Sequence, residues 1–249
     1  MTDIENKKLA VLIDADNAQA AICSELLAEI AKYGTASIKR AYGDWTTTNL
    51  KGWKNHLHKH AIQPIQQFSY TTGKNATDSS LIIDAMDLLH AGGLDGFCLI
   101  SSDSDFTRLA TRIREAGLTV YGFGEAKTPE PFRSACDKFV YTENLRPKVK
   151  KMQNDPSENT ELKKMMVDAI KAQSKEDGWA SLSEVGGFIN KNNPSFDQRT
   201  YGFERLGELV RVLNYLTVEE RKVGGEGSRT DIFISIKNAR IKSQSILNK

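Results

Sequence analysis

Leu9-Ala-Val-Leu-Ile13 is an unbroken apolar run that stops on a carboxylate, Asp14, with Asp16 and Asn17 directly after it. A short run without polar alternation is buried on both faces, as a strand inside a parallel sheet is. Such a strand needs helices above and below it, so the chain around it should alternate strand and helix. The next 130 or so residues follow that rhythm. Ile22, Leu26, Leu27 and Ile30 recur at helical spacing until Gly34 stops them. A strand near Ala36–Tyr42, a helical stretch near Asn49–His60 and a strand near Ile62–Phe68 come next. A helix from Asp78 to about His90 is closed by Gly92-Gly93, and Phe97–Ser101 reads as a fourth strand. Phe106–Ala116 reads as a helix closed by Gly117, Leu118–Phe123 as a fifth strand, and Lys138–Tyr141 as a short addition. The expected fold is α/β, an open, mostly parallel, Rossmann-like sheet with helices on both faces.

The rhythm breaks at 146–159, which is rich in Lys, Asn and Pro and reads as a linker, with Asp155-Pro156-Ser-Glu158 resembling a helix-start sequence. Beyond it, Leu162, Met165, Met166, Ala169 and Ile170 mark an amphipathic helix. Ser181-Leu-Ser-Glu184 reads as a capping box opening a second helix, which Asn192-Asn193-Pro194 ends. Phe203, Leu206, Val210 and Leu213 mark a third. Strand-like runs Tyr215–Lys222 and Thr230–Ile236 flank Gly224-Gly-Glu-Gly227, a hairpin loop. Three helices and a hairpin describe a winged helix. The expected organisation is therefore a domain at 1–145, a linker at 146–159, a smaller winged-helix domain at 160–237 and a tail at 238–249.

Charge differs between the halves. Of 34 Lys+Arg and 32 Asp+Glu, residues 1–145 hold 15 against 18 (net −3) and residues 146–249 hold 19 against 14 (net +5). An acidic front and a basic back suggest chemistry in the first and attraction to a polyanion in the second. Cys23, Cys98 and Cys136 are widely spaced with no CxxC, which argues against a disulfide framework or a zinc knuckle. The longest apolar runs are too short to span a bilayer, so no membrane association is expected. The opening residues, acidic and without an apolar stretch, show no secretory signal, and a cytoplasmic protein is expected.

In an open parallel sheet, ligands bind outside the carboxyl ends of the strands, where strand order reverses. Asp14 ends the first strand, Asp103 and Asp105 follow the fourth, and Asp78 opens a helix after the loop holding Lys74. If strands one and four are neighbours, these acids converge. Clustered carboxylates repel one another unless a cation neutralises them, and oxygen ligands suit Mg²⁺ or Mn²⁺. A metal so held activates water and stabilises a leaving oxygen, which is the chemistry of phosphodiester hydrolysis. Taken singly, Asp14, Asp16 or Asn17, and likewise Asp78 and Asp105, also read as caps of the helices that follow them. Asp84 and Asp87, further along the Asp78 helix, read as solvated or supporting. On a helix His56 and His60 share a face, but no third soft ligand lies nearby in sequence, which argues against zinc. Trp45 and Trp53 suit either base stacking or packing. No Walker lysine motif or GxGxxG points to a nucleotide.

Leu12-Ile-Asp-Ala-Asp-Asn17, Tyr42-Gly-Asp-Trp45, Gly73-Lys-Asn-Ala-Thr-Asp78 with Ile82-Ile-Asp-Ala-Met86, and Ile100-Ser-Ser-Asp-Ser-Asp-Phe106 resemble, in order and spacing, the NYN domain of the PIN-like metal-dependent ribonucleases. The resemblance covers about residues 8–143. It implies metal ligands at Asp14, Asp78, Asp103 and Asp105, a water- or phosphate-holding role for Asn17, and a metal-dependent endoribonuclease. Lys74, in the loop before Asp78, is the expected phosphate contact. Trp179-Ala-Ser-Leu-Ser-Glu-Val185 and Tyr201-Gly-Phe-Glu-Arg-Leu206 are similar to an OST-HTH (LOTUS) domain over about 160–237, which implies RNA binding. Lys191, Arg199 and Arg205 are the candidate contacts, and Arg211 reads better as a solvated helix face. Two other readings stay open: a non-catalytic RNA-binding adaptor, and an aspartyl-phosphate phosphatase suggested by the DxD of Asp14 and Asp16. The expected partner is RNA, and self-association is left open.

Overall fold

β1 (Lys8–Asp14) is buried from Leu9 through Asp14, as its unbroken apolar run requires. In a computed structural model, which describes residues 7–68, 76–146, 155–223 and 229–237, it lies in the middle of a six-stranded sheet of order β3-β2-β1-β4-β5-β6. The other strands are β2 (Thr35–Gly43), β3 (Gln63–Gln66), β4 (Gly96–Ile100), β5 (Thr119–Gly124) and β6 (Lys138–Tyr141). Every pairing is parallel, so the sheet is wholly rather than mostly parallel.

Chain order reverses at β1. The chain runs outward through β2 and β3, then crosses back to β4 on the other side of β1. Right-handed crossovers in opposite directions put helices on opposite faces. Leu9, Val11 and Ile13 pack with Cys23, Leu26 and Ile30 of α1 (Cys23–Ile30) and with Trp53, just before α2 (Lys54–His60). Ala10 and Leu12 point the other way. They meet α3 (Ala76–Ala91), α4 (Thr107–Glu115) and α5 (Glu130–Ala135) through Leu81, Ala85, Leu109, Ile113 and Phe132. Parity therefore sends Asp14 to the face that carries α3.

Gly92, Gly93 and Gly117 take the left-handed conformation expected of glycines that end helices. Gly34 does not: a Cβ there would lie 2.5 Å from the Lys7 carbonyl oxygen, so the residue is glycine for close approach. The sequence reading has no element between β5 and β6; the structure places α5 there, starting after Pro129.

The chain divides into two compact units, Met1–Lys148 and Val149–Lys249. The second holds α6 (Thr160–Gln173), α7 (Leu182–Asn192) and α8 (Leu206–Val212) over a small antiparallel sheet of order β7-β9-β8. Its strands are β7 (Ala180–Ser181), β8 (Leu216–Val223) and β9 (Arg229–Ile236). This is the winged-helix arrangement, cored by Leu162, Met166, Ile170, Val185, Ile189, Leu209 and Ile234. The Asp155 carboxylate caps a single turn at Pro156–Glu158, and Asn159, accepting from Leu162 N at 2.8 Å, caps α6 itself. The capping box expected at Ser181–Glu184 does not form. Ser181 belongs to β7, paired with Phe233, and its hydroxyl lies 2.7 Å from that of Ser183. The loop Gly224–Gly227 lies outside the described residues.

Candidate functional site

Ile13 of β1 pairs with Ile100 of β4, so the next residue on each strand, Asp14 and Ser101, emerge side by side at the carboxyl edge. Ser101 Oγ donates to Asp14 Oδ2 at 2.7 Å and accepts from Asp103 N at 3.1 Å. Asn17 Nδ2 donates to the same Asp14 oxygen at 2.8 Å, and its backbone N–H reaches Asp14 Oδ1 at 3.3 Å. Asp14 is fully buried, and that burial raises its pKa above the ordinary carboxylate range despite these donors. Asp14 therefore does not cap α1, whose start has no side-chain cap.

Asp103, extended in backbone, accepts from Asp105 N at 3.0 Å and so turns the chain after β4, presenting both carboxylates at the edge. Here the capping reading of the sequence moves by two residues: the cap is Asp103, and Asp105 lies inside the turn. Asp78 sits in the first turn of α3, 8% exposed. Carboxylate oxygens of Asp78, Asp103 and Asp105 lie within 4.8 Å of one another. Burial, then repulsion by Asp14, Asp103, Asp105 and Asp16, pushes Asp78 up to about 6. Thr77, next to Asp78, donates to Asp16 Oδ2 at 2.9 Å, tying the start of α3 to the loop after β1.

Further along α3, Asp84 accepts from Arg40 and from the Tyr42 hydroxyl, both on β2. Of the two roles that the sequence allows it, solvated or supporting, the structure shows the second: it is a half-buried clamp that fixes α3, and with it Asp78, against the sheet. Trp53 is buried, and Trp45 donates from Nε1 to the Ile65 carbonyl at 3.0 Å, so both pack in the fold.

Of the other candidates, Lys74 lies outside the described residues. A cleft at the ends of β1, β4 and β5 is lined by Asn17, Ser101, Ser102, Gly124 and Glu125. In the second unit Lys191 and Arg205 are exposed. Arg199 is held by the buried Asp197, with Nη2 to Oδ2 at 2.7 Å and Nε to both oxygens at 3.0 Å. Arg211 pairs with Glu220. Arg221, not singled out from sequence, lies 4.6 Å from the Trp179 ring centroid and 4.8 Å from that of Phe233.

Ser101 is not marked by the sequence, because a serine after a strand carries no signal until the β1–β4 register is known. The reading against zinc at His56 and His60 rests on sequence neighbours alone, and the fold brings Cys23, 33 residues before His56, within 4.8 Å of both histidines.

The model of the NYN domain matches residues 8–144, more than half of the chain. This protein belongs to the NYN domain family. That family lies within the PIN-like nuclease superfamily, whose members generally depend on divalent metals. The OST-HTH/LOTUS domain model matches residues 157–227, so an NYN domain is followed by an OST-HTH/LOTUS domain, a combination with an RNA-related role. No curated protein matches the chain. Among solved structures, a Vibrio parahaemolyticus protein of unknown function is 17% identical, covering 57% of this chain and 95% of its own, at a TM-score of 0.48. An uncharacterised Nitrosomonas europaea protein is 27% identical over 40% of this chain and 91% of its own, at 0.31. A Chromobacterium violaceum fragment is 31% identical over 41% of this chain and all of its own, at 0.27. Among the described residues no helix is long and apolar enough to cross a membrane.

Proposed function

We propose that this NYN protein is a Mg²⁺- or Mn²⁺-dependent endoribonuclease whose OST-HTH unit binds the RNA. The observation that carries this reading is the gathering of Asp78, Asp103 and Asp105 oxygens within 4.8 Å, beside a buried Asp14. The donor set fits a hard dication: all oxygen, negatively charged, and set so that burial first and then mutual repulsion raise Asp78. Asp78, Asp103 and Asp105 would hold the ion, with Asp14 as a further ligand or an anchor beneath it. When bound, the ion lowers the pKa of a water and stabilises charge on the leaving oxygen.

The chain's own groups do the rest. Asp105, exposed at the rim, or Asp78 orients the attacking water. In-line attack on phosphorus breaks the P–O3′ bond, leaving a 5′-phosphate and a 3′-hydroxyl. Asn17, fixed by Asp14, places its amide beside the cleft as a donor to a non-bridging phosphate oxygen. Lys74, four residues before Asp78 in the sequence, serves as the phosphate contact, and Lys191 and Arg205 offer exposed cations to the RNA backbone. Arg199, its guanidinium taken by Asp197, serves the fold instead.

The phosphatase reading needs Asp14 as a nucleophile, and a fully buried carboxylate with both oxygens hydrogen-bonded is poorly placed for that. The test is cleavage of labelled single-stranded and hairpin RNA with Mn²⁺ or Mg²⁺. Cleavage is expected in the wild type, lost with EDTA, restored by Mn²⁺, and reduced roughly 1,000-fold (about 4 kcal/mol) in Asp103→Asn. Equal rates in the two proteins would end the nuclease reading. RNA binding without cleavage would leave the adaptor.

A further inference from the structure

On the face of the sheet opposite α3, a second cluster has a different chemistry. Cys23 opens α1, and His56 and His60 stand one helical turn apart on α2. One ligand atom from each of the three lies within 4.8 Å of the others. The two imidazoles are parallel, 8° apart in plane with centroids 6.0 Å apart. His56 Nδ1 is buried and has no hydrogen-bond partner. A buried ring nitrogen without a partner is costly unless something occupies that position. Ser24 Oγ lies 3.2 Å from His60 Nε2, within hydrogen-bond distance, and so holds that ring in place. His58, between the two, is exposed and takes no part.

We propose that Cys23, His56 and His60 form a zinc site that clips α2 onto α1. One thiolate and two imidazoles are a borderline-soft donor set that suits Zn²⁺ and not the hard cations expected at the acid cluster. Three protein ligands leave a fourth, tetrahedral position for water. Burial first, with Glu25 adding to it, pushes the Cys23 thiol up to about 11 against the opposing pull of Lys39 and Lys59. Binding therefore exchanges the thiol proton for the metal and releases one proton per ion. Because the sheet separates this cluster from the carboxylates, the site stands or falls independently of RNA cleavage.

The experiment is titration of the full chain, stripped with chelator, with Co²⁺ and then Zn²⁺. Thiolate bound to cobalt gives an intense charge-transfer absorption that oxygen ligands do not. The expected result is this band saturating at one cobalt per chain and vanishing as zinc is added. It should be absent in Cys23→Ser, while His56→Ala and His60→Ala bind at least 10-fold more weakly. Asp103→Asn and His58→Ala should leave it unchanged. Circular dichroism checks that each variant is folded, and the partly exposed histidines give the decisive variants should Cys23→Ser not fold. Weak cobalt bands without charge transfer, a band that survives Cys23→Ser, or equal affinity in the wild type and both histidine variants would overturn the proposal.

Discussion

In the OST-HTH unit the buried carboxylate of Asp197 meets the guanidinium of Arg199 at 2.7 Å. In the NYN unit the buried carboxylate of Asp14 meets a neutral hydroxyl and a neutral amide, and Asp78 faces four further carboxylates. The same residue type is neutralised within the fold in one place and gathered against its own charge in the other. A paired carboxylate is explained once its partner is named. Repelling carboxylates gathered at the carboxyl edge of a parallel sheet fit the cation proposed above.

That contrast can be broken by mutation. The largest stability effect is expected from Arg199→Ala, which strands the Asp197 charge in the interior. Urea unfolding of the second unit should show a loss of roughly 3 kcal/mol, partly restored by adding Asp197→Asn. A loss below about 0.5 kcal/mol would mean that Asp197 needs no internal partner.

Asp78→Asn should act in the opposite sense on the metal-free protein. The folded-state pKa, about 6, lies above the ordinary 3.8, so the folded state keeps a proton that the unfolded chain has lost. Stability from this group is full below the lower value and is lost as pH rises through the higher one. The wild type should therefore lose stability between about pH 4 and 6, a slope that Asp78→Asn flattens, gaining on the order of 1 to 2 kcal/mol at pH 7. Mg²⁺ should stabilise the wild type above pH 6 and leave the variant nearly unmoved. A pH profile shared by the two proteins would remove the repulsion argument.

A smaller change sharpens the comparison at Asp14. Ser101→Ala deletes the hydroxyl that joins Asp14 to the Asp103 backbone, and RNA cleavage should fall roughly 10-fold with the apparent metal affinity falling alongside it. Loss of rate at unchanged metal affinity would place Ser101 outside the metal's support.

What the sequence made legible follows from the range of the interactions involved. The apolar run at Leu9–Ile13, the helix-ending glycines and the acids after strands are local signals, and they marked most strands and helices and the converging carboxylates. The features that escaped depend on register or on contact between distant segments. Ser101 matters because Ile13 pairs with Ile100, and Asp84 because it reaches Arg40 and Tyr42 on β2. Cys23 joins His56 and His60 only when α1 and α2 share a face of the sheet. Arg199 looked available because the paired Asp197 lies two residues away, and spacing alone does not say which of two such charges is buried. The Ser181 box failed for a related reason: strand pairing with β9 claimed a residue whose local signal was a helix cap.

The proposed function requires carboxylates distant in the chain to share a bound hard cation. Anomalous diffraction from crystals soaked in Mn²⁺ reads this out. A manganese peak in coordination contact with Asp78, Asp103 and Asp105 is expected. A map with no peak among them, or with manganese only elsewhere on the molecule, would contradict it.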